Sequence, residues 1–185
     1  MKNKIISLLA NLFLFFLFTS QINASEQAWK IAQEGDKIIL IRHSLAPGGG
    51  DPAGFKVDDC KTQRNLNRTG INQSKKIGKL FKKNKVPVDQ VLSSQWCRCK
   101  DTAKHAFGDF KEFTALNSTF QSPYDKNEGK QLNELYDYVS KWDGKGKNFY
   151  NLIGKKFLNK KSFPYGKKIN FSSLRKGKII GEHEV

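Results

Sequence analysis

Arg42 and His43 end the stretch Lys37-Ile-Ile-Leu-Ile-Arg-His43, and Arg98 stands in Ser94-Gln-Trp-Cys-Arg-Cys-Lys100. An imidazole can act as a nucleophile or exchange a proton near neutral pH. A guanidinium offers a planar fork of donors that grips phosphate oxygens two at a time, which lysine cannot do. Arginine is scarce here, 5 residues against 28 lysines, so its use at both places points to oxyanion chemistry rather than general basicity.

Elements must carry these groups. Four consecutive apolar residues before Arg42 read as a strand buried on both faces, of the kind found inside an α/β sheet. Ala46-Pro-Gly-Gly-Gly-Asp51 follows and can continue neither strand nor helix. Ligands of open α/β sheets bind just beyond the carboxyl ends of the strands, where Arg42 and His43 lie. Gln90-Val-Leu-Ser-Ser94 reads as a second strand, and Gln95 to Phe107 as the helix after it, which puts Arg98 in the first turn. Helix N-terminal amides there would add donors for an anion. The three glycines of Gly48-Gly-Gly50 lack the spacing of a known phosphate loop and read as a loop.

The rest of the chain alternates in the same way. Ser25 to Glu34 reads as a short helix capped by Ser25 and ended by Gly35. Thr69 to Asn84 carries an apolar stripe of Ile71, Ile77, Leu80 and Phe81. A third strand is expected at Phe113-Thr-Ala-Leu116. A helix from Glu128 to Lys141 follows, with Leu132, Leu135, Tyr136, Val139 and Trp142 on its apolar face. Asp143-Gly-Lys-Gly146 is a turn and Asn148-Phe-Tyr-Asn-Leu-Ile153 a fourth strand. Lys168-Ile-Asn-Phe171 and Lys178-Ile-Ile180 would form a final hairpin. Strands alternating with helices predict one α/β domain, a three-layer α/β/α sandwich with a mostly parallel central sheet. No internal repeat or second domain is evident.

Residues 1–24 stand apart from that domain, which spans 25–185. Lys2 and Lys4 precede an apolar run from Ile5 to Phe18, and Ala24 offers a small residue at a cut, as in a secretory signal peptide. An uncleaved membrane anchor is the rival reading, but the run is shorter than the roughly 20 residues a span prefers. The expected location is therefore exported and periplasmic. The net charge falls from +16 to +14 without these residues, which hold two lysines and no acid. That charge attracts anions, yet no interleaved aromatic and basic platform marks a nucleic-acid surface, and none is expected as partner. Of Cys60, Cys97 and Cys99, an oxidising setting favours one long-range pair, Cys60 with either Cys97 or Cys99. Cys-x-Cys with one distant cysteine is a poor metal pattern; neither metal nor cofactor is expected.

Together, Ile41-Arg-His43, Leu92-Ser-Ser94 with Arg98 and Thr102-Ala103, and Arg64-Asn-Leu-Asn-Arg-Thr-Gly-Ile-Asn-Gln73 between them resemble the histidine phosphatase superfamily. The likeness spans about residues 37–108, with Asn67 where Ser or Thr is usual. The cysteines and the leader look like an exported bacterial branch. The resemblance implies a phosphoglycerate mutase-like fold and a phosphoester hydrolase. His43 would become a phosphohistidine, and Arg42 and Arg98 would bind and neutralise the phosphoryl oxygens. The substrate would be a phosphorylated small molecule or envelope component.

The family also uses a second histidine at the end of a later strand, and that position falls near Gly154. The remaining histidines are His105 and His183. A degenerate enzyme, a relocated histidine and a reading-frame disturbance between about Phe149 and Phe171 stand as explanations, and the C-terminal part from about 149 is atypical. Asp125 and Glu128 are available as leaving-group acids but read better as a loop charge and a helix N-terminal charge. Two other classes remain open: a non-catalytic phosphate- or anion-binding pseudo-phosphatase of the envelope, and a basic protein whose tail meets anionic lipid or polysaccharide.

Overall fold

The computed structural model describes residues 26, 28–143, 145–153, 169–171, 173–175 and 178–180. The leader, its cleavage site, the Ser25 cap, Gly154 and His183 lie outside the described residues.

The order is α1 (28–33), β1 (Ile38–Arg42), α2 (Arg68–Lys83), β2 (Val88–Ser93), α3 (Cys97–Phe107), β3 (Lys111–Glu112), α4 (Glu128–Ser140) and β4 (Asn148–Ile153). Three short strands follow: β5 (Ile169–Phe171), β6 (Ser173–Arg175) and β7 (Lys178–Ile180). Five strands form one sheet in the order β3-β2-β4-β1-β5, every neighbouring pair parallel.

The apolar run of β1 divides between two cores because strand side chains alternate. Ile39 and Ile41 join Val91, Ile77, Phe81, Trp96, Ala103 and Ala106 on the face covered by α2 and α3. Ile38 and Leu40 join Leu92, Leu135 and Val139 on the face covered by α4. The four apolar residues of β1 are at most 4% exposed, the burial expected of an inner strand wrapped on both sides. The α/β/α sandwich with its parallel sheet is thus the observed architecture.

Helix packing depends on missing side chains. A Cβ on Gly78 would lie 1.9 Å from the carbonyl oxygen of Ala106, so α2 and α3 approach as closely as they do only because Gly78 is glycine. The observed inner stripe of α2 is Gly70, Ser74, Ile77, Gly78 and Phe81; Ile71 and Leu80 sit half-buried at its margins. On α4, Tyr138 rather than Tyr136 packs on the core, its ring 4.9 Å from that of Phe113 and its hydroxyl donating to Gln90 Oε1.

Two expectations need correction. The third strand is Lys111–Glu112, not Phe113–Leu116. Asn117 exchanges two side-chain hydrogen bonds with Gln95, which turns Thr114–Leu116 into a 3-10 helix that drops Ala115 and Leu116 into the core. At the other end, β5 does not pair with β7. It runs parallel to β1 at the sheet edge, and β7 pairs with β6 instead.

Candidate functional site

β1 delivers His43 to the carboxyl end of the sheet, where it is 8% exposed. Its Nδ1 lies 2.8 Å from the Ser44 carbonyl oxygen. A carbonyl only accepts, so Nδ1 carries the proton and Nε2 keeps its lone pair. Burial, followed by the charges of Arg98, Arg42 and Arg64, lowers the imidazole pKa to about 3 against the opposing Ser44 bond. His43 is therefore a neutral imidazole with a defined tautomer.

The residues after it are clamped by the motifs read from the sequence. The Ser44 amide donates to Thr102 Oγ1 at 3.0 Å, and Ser74 Oγ donates to Ser44 Oγ at 2.7 Å. Leu45 donates its amide to Gln73 Oε1 and accepts from the Asn67 amide through its carbonyl. Asn67 caps α2 by accepting from the Gly70 amide, doing what Ser or Thr would do there. A Cβ on Gly70 would lie 2.1 Å from the Leu45 carbonyl oxygen, so the clamp needs that glycine.

Arg98 is 5% exposed in the first turn of α3 and meets Asp51 end-on. Its Nη1 donates to Oδ1 at 2.7 Å and its Nη2 to Oδ2 at 3.0 Å. Asp51 also accepts from Trp96 Nε1 and the Arg64 amide. Despite its burial, these donors, Arg98 foremost, hold its carboxyl below the usual range. Arg64 donates through Nη1 to the Ala46 carbonyl. The Nε atoms of Arg64 and Arg98 are both buried and find no partner among the described residues. Arg42 ends β1, half-buried, and acts on both His43 and Arg64 through its charge. Three of the chain's five arginines thus converge on one histidine, with one carboxylate among them.

A disulfide between Cys60 and Cys97 ties the segment bearing Arg64 to the start of α3. Gln63 reinforces it by accepting from the Cys97 amide, which removes that N–H from the anion donors expected at this helix end. Cys99 is a free, buried thiol whose pKa burial raises.

Asp51, Arg64 and Gln63 were not assigned to the site from sequence. For Arg64 a signal existed, the scarcity of arginine; for Asp51, in a glycine-rich loop, none did. His105, the other described histidine, stands seven residues beyond Arg98 on the same face of α3, about 10 Å further along it, and is half-buried there. Ile153 pairs with Arg42 in the sheet; Gly154, the position where a second histidine is expected, lies outside the described residues. Asp125 lies exposed in a 3-10 turn, and Glu128 in the first turn of α4.

No family model matches the chain. Over 43 residues it is 86% identical to a 4-hydroxy-tetrahydrodipicolinate reductase of Pelagibacter ubique (strain HTCC1062), a stretch covering 23% of this chain and 17% of that enzyme. The chain thus spans less than a fifth of the reductase it matches. Among solved structures, it is similar to the protein histidine phosphatase SixA in complex with tungstate, with TM-score 0.44, 15% identity and coverage of 64% of this chain and 69% of that one. A phosphoserine phosphatase of Entamoeba histolytica with 3-phosphoglyceric acid gives TM-score 0.46 and 17% identity over 65% and 75% of the two chains. A mycobacterial glucosyl-3-phosphoglycerate phosphatase gives TM-score 0.45 and 11% identity over 62% and 74%.

Proposed function

We propose that this chain binds and hydrolyses a phosphoester through His43. The observation that carries the reading is a buried neutral imidazole, proton fixed on Nδ1, that feels the charges of Arg98, Arg42 and Arg64. Nε2 attacks phosphorus as the bond to the leaving-group oxygen breaks, and that oxygen takes a proton. Water then cleaves the N–P bond, releasing orthophosphate and restoring the lone pair on Nε2. Arg98, Arg42 and Arg64 offset the charge on the phosphoryl oxygens. Paired to Asp51 through Nη1 and Nη2, Arg98 keeps its Nε edge for the anion.

No second imidazole accompanies His43 among the described residues, which favours slow turnover or binding alone. The test is phosphate release from an aryl phosphate, lost in His43→Ala. No turnover together with a rise in melting temperature on adding vanadate or orthophosphate supports the non-catalytic anion binder. Neither response sinks both readings. Export to the periplasm remains part of the proposal, checked by fractionation and by the N-terminus of the mature protein.

A second point concerns the missing histidine. The C-terminal part from about 149 departs from the phosphatase-like order, and a reading-frame disturbance between about Phe149 and Phe171 accounts for that departure. Resequencing between Asn148 and Phe171 decides it: a recovered Thr-His pair makes an ordinary enzyme, and an unchanged read removes the frame disturbance.

A further inference from the structure

Among the described residues three large apolar side chains are exposed: Leu45 at 47%, Phe120 at 55% and Val88 at 38%. Val88 opens β2 at the opposite end of the sheet. Leu45 and Phe120 stand on the two loops that meet at Asp51. Leu45 begins the loop that runs from His43 to Asp51. Phe120 precedes Gln121, whose side chain accepts from the Asp51 amide at 2.9 Å and donates to its carbonyl at 3.2 Å.

Neither residue is exposed because its backbone is loose. Both polar backbone groups of Leu45 are bonded to the start of α2, and the Phe120 amide donates to Ser118 Oγ while its neighbour grips Asp51. Isolated apolar side chains on a surface are ordinary. Two held rigidly in water on the loops that frame a buried cluster of guanidiniums are placed to cover something that arrives with an anion.

Resting on the phosphoester reading above, we propose that Leu45 and Phe120 are specificity residues that receive the leaving group, and that this group is apolar. The arginines hold the phosphoryl end, and the two side chains cover a ring or hydrocarbon attached to it. Water released from both surfaces on contact favours such esters over polyol phosphates.

Affinities of the full chain for orthophosphate, phenyl phosphate and glycerol 2-phosphate, measured by calorimetry, test this without requiring turnover. Phenyl phosphate should bind about fivefold more tightly than glycerol 2-phosphate, as partial cover of one ring by two side chains allows. The double variant Leu45→Ser, Phe120→Ser should lose that preference and keep its orthophosphate affinity, because neither side chain supports the fold. Equal affinity for the two esters overturns the proposal, and so does a preference that survives in the double variant. Failure of the wild type to bind orthophosphate is a different result: it removes the anion site itself.

Discussion

The carboxylate of Asp51 and the guanidinium of Arg98 face one another through two parallel hydrogen bonds, with side chains 2% and 6% exposed. A buried pair of this kind adds little net stability against apolar replacement, but breaking it leaves one charge stranded. Asp51→Ala should therefore destabilise the fold by about 3–5 kcal/mol in urea denaturation. Orthophosphate should raise the melting temperature of the variant more than that of the wild type, since it would supply the missing counter-charge. A loss below about 1 kcal/mol would mean that water reaches Arg98 freely.

His43 makes stability depend on pH in a defined window. Its folded pKa is near 3 and its unfolded value near 6.5. Between these values the unfolded chain binds a proton that the folded chain refuses, so stability falls as pH falls. From pH 7 to pH 5 the contribution lost is about 2 kcal/mol. Denaturation at both pH values should show that loss in the wild type and not in His43→Gln. The lowered carboxyl of Asp51 acts with the same sign but below its ordinary range, so the two are separable.

The Cys60–Cys97 bridge closes a segment with a sequence separation of 37. Loop-closure entropy alone gives such a cross-link about 4 kcal/mol. Cys60→Ser should lower stability by an amount of that order and weaken orthophosphate binding, because Arg64 and the start of α3 lose their tie. Cys99, fully buried, should react with a thiol reagent only once the protein unfolds. Prompt labelling of the native protein would contradict its placement.

Gly70→Ala checks the clamp on Leu45. The new methyl would meet the Leu45 carbonyl oxygen at 2.1 Å, a distance no packing tolerates. Overpacking of this kind costs about 1–3 kcal/mol, and the displaced segment carries His43. Phosphate release should drop more than the modest stability loss explains, as read by kcat at a temperature well below the transition.

The sandwich, His43 and the Cys60 bridge were readable because each leaves a local trace: an unbroken apolar run, an Arg-His pair at its end, an odd cysteine far from two others. Thr102, Gln73 and Asn67 were readable only as parts of a resemblance; the structure supplies their physical work, which is hydrogen bonding to Ser44, Leu45 and Gly70. Asp51 was not readable. Its meaning lies in Arg98, 47 residues away, and nothing local distinguishes it from a turn residue. The short third strand was misplaced because Asn117 bonds across the fold to Gln95, and propensity in Phe113–Leu116 cannot register that partner.

The clamp around His43 has a dynamic consequence. The amides of Ser44 and Leu45 are bonded to side chains 58 and 28 residues away, on different helices. Side chains on two packed helices hold them, so fraying of the loop alone does not release them. Their hydrogen exchange should then follow global unfolding, placing the segment that follows His43 among the slowest-exchanging parts of the molecule rather than its mobile ones. An anion entering beside His43 would then meet a fixed mouth, with no closing motion of His43 itself.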